Sequence, residues 1–177
     1  ALTVLDILFH RLTTWLAPVL VFTMEEVWLE RFPGDDSSVH LRDMPETPQD
    51  WRDDALAAKW AGVRRVRRVV TAALEVQRRD KVIGASLEAA PAVYVPADIL
   101  DDLRSVDFED VCITSAVELS SEPAPDGAFL LDDDADVGVV FKKASGEKCL
   151  RCWKILPDVG MHKTPGTCAR CDAALSA

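Results

Sequence analysis

The sequence predicts an α+β chain in three parts, and three observations predict it. Apolar residues recur at helical spacing over two long stretches, 2–31 and 51–79. Short apolar segments broken by Pro, Gly and Asp follow between 87 and 143. Two Cys-x-x-Cys pairs, 149/152 and 168/171, then close the chain with fifteen residues between them. Zinc takes four thiolates at about 2.3 Å, and a two-residue gap lets both sulfurs of a pair reach one ion. The spacer falls in the window of roughly 15–20 residues expected for such sites. Cys149, Cys152, Cys168 and Cys171 are thus the predicted ligands of one Zn²⁺. With every position filled by sulfur the zinc is structural, because a catalytic zinc keeps a position open for water. His162 is not needed as a fifth ligand. The expected parts are a helical segment, 1–82; a small α/β unit, 83–143; and a four-cysteine zinc finger, 144–177.

The elements follow in order. Residues 2–31 read as helix with Leu5, Leu8, Leu12, Trp15, Val19 and Phe22 among an apolar set that leaves almost no polar side. A helix apolar all round is normally covered by several neighbours. Pro18 should kink or divide it, and the Phe32-Pro33-Gly34 run should end it. No initiator Met stands before Ala1, so the expectation is a fragment whose first helix packs against upstream residues. Residues 37–45 read as an extended connector. The second helix, about 51–79, puts Val63, Val66, Val69, Val70, Ala73, Leu74 and Val76 on one face. Arg64, Arg65, Arg67, Arg68, Arg78 and Arg79 lie on the other. That face reads either as a solvated surface or as a rail for a phosphate backbone. Beyond it, 87–95 and 111–119 read as strands, 97–104 as a short helix opened by Pro96, 121–127 as a turn, and 128–131 and 137–143 as further short strands.

Charge is unevenly spread. The chain has 177 residues, 49% of them hydrophobic, and a net charge of −10 that argues against a general nucleic-acid binder. Yet 59–81 carries +6 and 142–177 carries +4, whereas 82–141 carries −13. Local patches matter more to RNA than the total. Around the cysteines stand Lys142, Lys143, Lys148, Arg151, Lys154, Lys163 and Arg170. Cations favour the thiolate form of a site with four sulfurs. They also surround Trp153, whose indole reads either as a cover for the small metal core or as a stacking platform for a base. The fifth cysteine, Cys112, reads as a small buried hydrophobe. Asp132, Asp133, Asp134 and Asp136 read as a solvated loop in preference to a cation site. No secretory signal is visible, and the longest uncharged run near the start is too short to span a bilayer. Reduced metal-binding thiols point to the cytoplasm.

Segments 145–154 (SGEKCLRCWK), 158–160 (DVG) and 168–171 (CARC) closely resemble the C-terminal zinc finger of bacterial isoleucyl-tRNA synthetases. Segments 12–18 (LTTWLAP) and 22–28 (FTMEEVW) are similar to a helix of their anticodon-binding domain. Segment 78–89 (RRDKVIGASLEA) resembles the entry to the domain that follows. The three stretches occur in the family's order and spacing, so the resemblance extends over essentially the whole chain.

The resemblance implies a helical anticodon-binding segment, a junction unit and a finger that together grip tRNA(Ile) at its anticodon arm. Arg64, Arg68, Arg78, Arg79, Lys81, Lys148, Arg151, Trp153, Lys154 and Arg170 are the candidate RNA contacts. Such synthetases load isoleucine on tRNA using ATP in a class I catalytic domain marked by HIGH and KMSKS. Neither motif occurs here, so no catalytic residue is expected, and ATP belongs to a domain outside this chain. The expected partners are the tRNA and the remainder of a synthetase, with neither DNA nor membrane. Two rivals stand beside this reading. A zinc-finger DNA glycosylase has a similar finger but needs an N-terminal proline nucleophile, whereas this chain opens with Ala1. An interaction module stapled by zinc would tend to self-associate through its apolar first helix.

Overall fold

Pro18 divides the first apolar stretch, since its ring removes a backbone donor from the helical ladder. Helix α1 spans Leu2–Leu16 and α2 spans Val21–Arg31, with Phe32 closing the second. The structure, a computed structural model, describes residues 2–176, and its contacts fall into two units that divide between Asp53 and Asp54.

In the first unit Ala17, Trp28 and Val39 form a small core with Phe9 and Phe32 packed against it. The Trp28 and Phe32 rings lie 4.8 Å apart, and the Trp28 indole N–H donates to Ser37 Oγ at 3.1 Å. The connector expected to be extended over 37–45 contains a 3₁₀ turn, Val39–Leu41. The cause is Glu25, whose carboxylate accepts from the Val39 N–H at 2.9 Å and the Ser38 hydroxyl at 3.0 Å. A core this small covers little of the two helices. Leu2, Leu5, Val19 and Phe22 remain 83%, 61%, 78% and 85% exposed.

The second unit is organised by α3, Asp54–Arg79. Val63, Val66, Val69, Val70, Ala73 and Leu74 are buried along it, the face that apolar periodicity predicts. They pack on a four-stranded sheet of order β2-β1-β4-β3, made of Ala92–Tyr94 (β1), Glu118–Ser120 (β2), Phe129–Leu131 (β3) and Asp134–Val140 (β4). β1 and β2 are parallel, joined by helices α4, Ala97–Arg104, and α5, Phe108–Cys112. The other pairings are antiparallel. Gly62 permits the approach of α3 to α4, because a Cβ there would stand 2.8 Å from Ile99 Cδ1.

Two strand expectations need correction. Residues 111–119 are not one strand: α5 occupies their start, Ile113 ends it with a left-handed φ of 58°, and pairing begins at Glu118. Phe108 and Cys112, four apart, both enter the core, and that helical spacing prevails over the apolar alternation that follows. Residues 87–95 begin in a 3₁₀ turn, Ser86–Glu88; Ala89 then makes an isolated antiparallel bridge to Lys143, and the regular strand runs only over Ala92–Tyr94.

The C-terminal module adds a two-stranded ribbon, β5 (Glu147–Lys148) and β6 (Ile155–Leu156), and helix α6, Ala169–Ser176. Gly146 opens it with a φ of +112°, and a Cβ there would lie 2.3 Å from the Leu156 backbone. Glycine is therefore required by both conformation and space. The chain is α+β, as its sequence predicts.

Candidate metal centre and nucleic-acid interface

The two knuckles bring four sulfurs together. The Sγ atoms of Cys149, Cys152, Cys168 and Cys171 all lie within 4.8 Å of one another, and Cys149, Cys168 and Cys171 are buried. Cys152 and Cys168 stand 3.8 Å apart. Tetrahedral Zn–S bonds of about 2.3 Å place sulfurs about 3.8 Å apart, so the donor set fits zinc in type, number and spacing. All five cysteines are free thiols. Burial opposes ionisation of Cys149, but backbone hydrogen bonds from Cys152, Cys168 and Arg151 outweigh it and lower that thiol to about 6. Burial and the neighbouring sulfurs push Cys152 up to about 12. One thiolate is thus favoured where a second is not. A divalent cation reverses this, since coordinated thiols are deprotonated outright.

The knuckle backbone explains the geometry. The Trp153 N–H donates to the Cys149 carbonyl at 2.9 Å, and the Cys149 N–H donates to the Lys154 carbonyl at 2.9 Å. The turn leaves Trp153 at a φ of +65° and the residue 60% exposed. Leu156 and Val159 are the partly buried side chains packed against the cysteines, whereas Trp153 is exposed. The ring therefore projects outward, with Lys148 Nζ 5.4 Å from its centroid, within cation–π range. Beside it is a groove of about 320 Å³. Leu87, Glu88, Lys143, Lys148, Trp153 and Ile155 are among the residues that line it.

The remaining predicted cations divide into two sets. Arg68 pairs with Asp134, a carboxylate whose side chain is only 5% exposed. Arg65 reaches Asp136 at 2.8 Å, and Arg67 donates to the Val111 carbonyl at 2.8 Å. Arg78 pairs with Glu75 and donates to Ser86 Oγ at 2.8 Å. Part of the arginine face thus ties α3 to β4, α5 and the segment after the helix. Lys154 is buried against Asp110, and Arg170 reaches the same carboxylate at 2.6 Å. The Lys154 hydrogen bond above all, then that of Arg170, holds Asp110 below the usual carboxylate range against the opposing effect of burial. In the other set Arg64, Arg79, Lys81, Lys148 and Arg151 are exposed. Arg79 is 3.2 Å from its neighbour Asp80, and Arg151 Nη1 donates to Cys171 Sγ at 3.6 Å.

The structure adds residues that the sequence did not single out. Asp110 and Ser115 hold the module: the Ser115 hydroxyl donates to the Leu87 carbonyl and accepts the Ile155 N–H at 2.7 Å. His162 has a partner outside the metal cluster, Asp158, at 2.9 Å. Cys112 is buried in the main core, where desolvation pushes its thiol up to about 12. Asp134 and Asp136 are ion-pair partners of α3 rather than members of a free loop. Among the described residues no helix is long and apolar enough to cross a membrane.

Comparison with known proteins agrees with this arrangement. Residues 1–94 match the family model described as the anticodon-binding domain of tRNA ligase, and residues 146–174 match the zinc finger found in FPG and IleRS. The chain is 66% identical over 176 residues to an isoleucine–tRNA ligase of Ruegeria pomeroyi, covering 99% of this chain and 18% of that protein. It is 54% identical over 170 residues to the Brucella abortus isoleucine–tRNA ligase, covering 95% and 17% respectively. With the Agrobacterium fabrum isoleucine–tRNA ligase it shares 50% identity over 177 residues, again 18% of that protein. The chain therefore spans less than a fifth of the length of these relatives. With its helical segment matched across residues 1–94 and a four-cysteine finger at the other end, the chain belongs to the family of anticodon-binding domains of tRNA ligases.

Proposed function

We propose that this chain is the tRNA-gripping part of an isoleucine–tRNA ligase, contacting tRNA(Ile) at the anticodon arm. The observation that carries the reading is the outward Trp153 indole, flanked by Lys148 at the mouth of a groove beside a closed four-sulfur site. Unstacked loop bases are what proteins read in RNA, and an anticodon supplies them. In this reading one structural Zn²⁺ folds the finger, Trp153 stacks a base, and Lys148, Arg151, Arg64, Arg79 and Lys81 attract phosphates. Arg68, Arg78, Lys154 and Arg170, already paired within the chain, act on RNA by shaping that surface. The functional division follows 1–82 for the anticodon-binding helices, 83–143 for the junction and 144–177 for the finger. Isoleucine activation with ATP and charging of the tRNA, in the cytoplasm, are the work of the whole synthetase, with no catalytic group in this chain. The remainder of that synthetase would also cover the exposed apolar residues of α1 and α2.

In a full synthetase carrying this segment, Trp153→Ala or Arg151→Ala should lower aminoacylation about tenfold or more at limiting tRNA. Isoleucine-dependent ATP–pyrophosphate exchange should change less than twofold. Equal loss of both activities would sink the binding role. The exposed α1–α2 surface favours a second reading, a zinc-stapled interaction module. It predicts concentration-dependent self-association of the chain and a tRNA affinity insensitive to salt, whereas an RNA grip weakens steeply as salt rises.

A further inference from the structure

Each of the two metal knuckles sends a cation to one carboxylate outside the module. Lys154, two residues beyond Cys152, pairs with one oxygen of Asp110. Arg170, between Cys168 and Cys171, reaches the other oxygen at 2.6 Å. The Lys154 side chain is only 11% exposed, and a lysine so far from water needs an anionic partner. Asp110 lies on α5, in the crossover between β1 and β2. A second tie acts on the next residue of the same knuckle, where the Ile155 N–H donates to buried Ser115. Ser115 in turn donates to the carbonyl of Leu87, which like Ile155 lines the groove. That groove takes Leu87 and Lys143 from the α/β unit, and Lys148, Trp153 and Ile155 from the module. Walls drawn from two parts form one groove only while the parts are held in register.

The geometry points to Asp110 as the positioning residue that docks the metal module on the α/β unit and assembles the Trp153 groove before RNA arrives. The RNA consequence rests on the function proposed above; the docking does not. Because Asp110 holds both knuckles and Ser115 holds the Ile155 backbone at a separate point, the module is fixed in angle as well as in place. A preorganised site spares the ordering that binding would otherwise require. Lys154 and Arg170, the two cations nearest the knuckles to be so tied, then serve RNA through the orientation of Trp153 instead of through phosphate contact.

The test uses the zinc-loaded 177-residue chain and its Asp110→Asn and Asp110→Glu variants. Amide exchange at Ile155 reports the docking, metal analysis reports the finger, and a salt-titrated gel shift with tRNA(Ile) reports the groove. Asp110→Asn should raise Ile155 exchange about tenfold or more, keep its zinc, and weaken tRNA binding about five- to tenfold. Asp110→Glu should recover most of both effects. Unchanged Ile155 exchange in Asp110→Asn overturns the docking role. Raised exchange with unchanged tRNA affinity overturns the assembly of the groove. Loss of zinc with loss of protection throughout 144–177 would make Asp110 a folding residue of the finger, which also overturns the proposal. Should Asp110→Asn not fold, Arg170→Gln removes one arm alone, and an unchanged Ile155 exchange there counts against the clamp. If the unaltered chain binds no tRNA, the RNA reading fails by itself, while the exchange comparison still decides the docking.

Discussion

Trp153 occupies a conformation that a bulky side chain seldom takes. Its φ of +65° follows from the knuckle turn, which brings its N–H back to the Cys149 carbonyl. The left-handed region disfavours a residue with a Cβ by about 1–2 kcal/mol, and glycine is its usual occupant. An exposed indole recovers little of this by burial, so the position makes physical sense as a presentation of the ring. Trp153→Gly should therefore keep zinc and leave thermal stability unchanged or slightly raised. Its tRNA affinity should fall by about tenfold or more, in line with about 1–3 kcal/mol for one stacked base. Parallel melting and gel-shift measurements separate the two effects. A drop in stability with loss of zinc would instead make Trp153 a cover for the metal core.

Helix α3 shows how an element divides its labour. Its valine face was legible from periodicity: Val63, Val66, Val69, Val70, Ala73 and Leu74 are buried, and only Val76, near the end of the helix, is half-buried. Leu74 is 2% exposed, so Leu74→Ala should destabilise the second unit by about 2–5 kcal/mol in urea unfolding. A loss below about 1 kcal/mol would mean that the core relaxes around the gap. The arginine face was legible only as charge. Its partners Asp134 and Asp136 lie some seventy residues away, and no local pattern marks them. The same limit explains the misread segment 111–119. Its alternation resembles a strand, but Phe108 and Cys112 are drawn into the core at helical spacing. Short segments are decided by what they pack against, not by their own period.

Across the whole molecule, stability comes from separate sources. The main core joins α3, the sheet, α4 and α5, and contains none of the four clustered cysteines. Those cysteines form their own cluster with Leu156 and Val159. So small an apolar group folds with the energy of metal binding. Chelation should thus remove exchange protection from β5, β6 and α6 while α3 and the four-stranded sheet stay protected within about twofold. Hydrogen exchange read by mass spectrometry checks this, and concerted loss of both regions would contradict it. The charge distribution also acts at this scale. A stretch of −13 between two basic islands repels polyanions from its own surface and leaves the cationic parts as the surfaces that attract them.

Much of this protein was determined by its sequence alone. Ligand spacing, helical periodicity and a helix-breaking proline are local properties, acting over one to a few turns of chain, so they can be read without coordinates. Four thiols, the buried face of α3 and the break at Pro18 belong to that class. Tertiary structure alone decided which cations are paired within the chain and which face solvent, that both knuckles meet at Asp110, and that Trp153 points outward. Ion pairs and groove walls join residues distant along the chain, and their existence depends on packing that no single segment encodes.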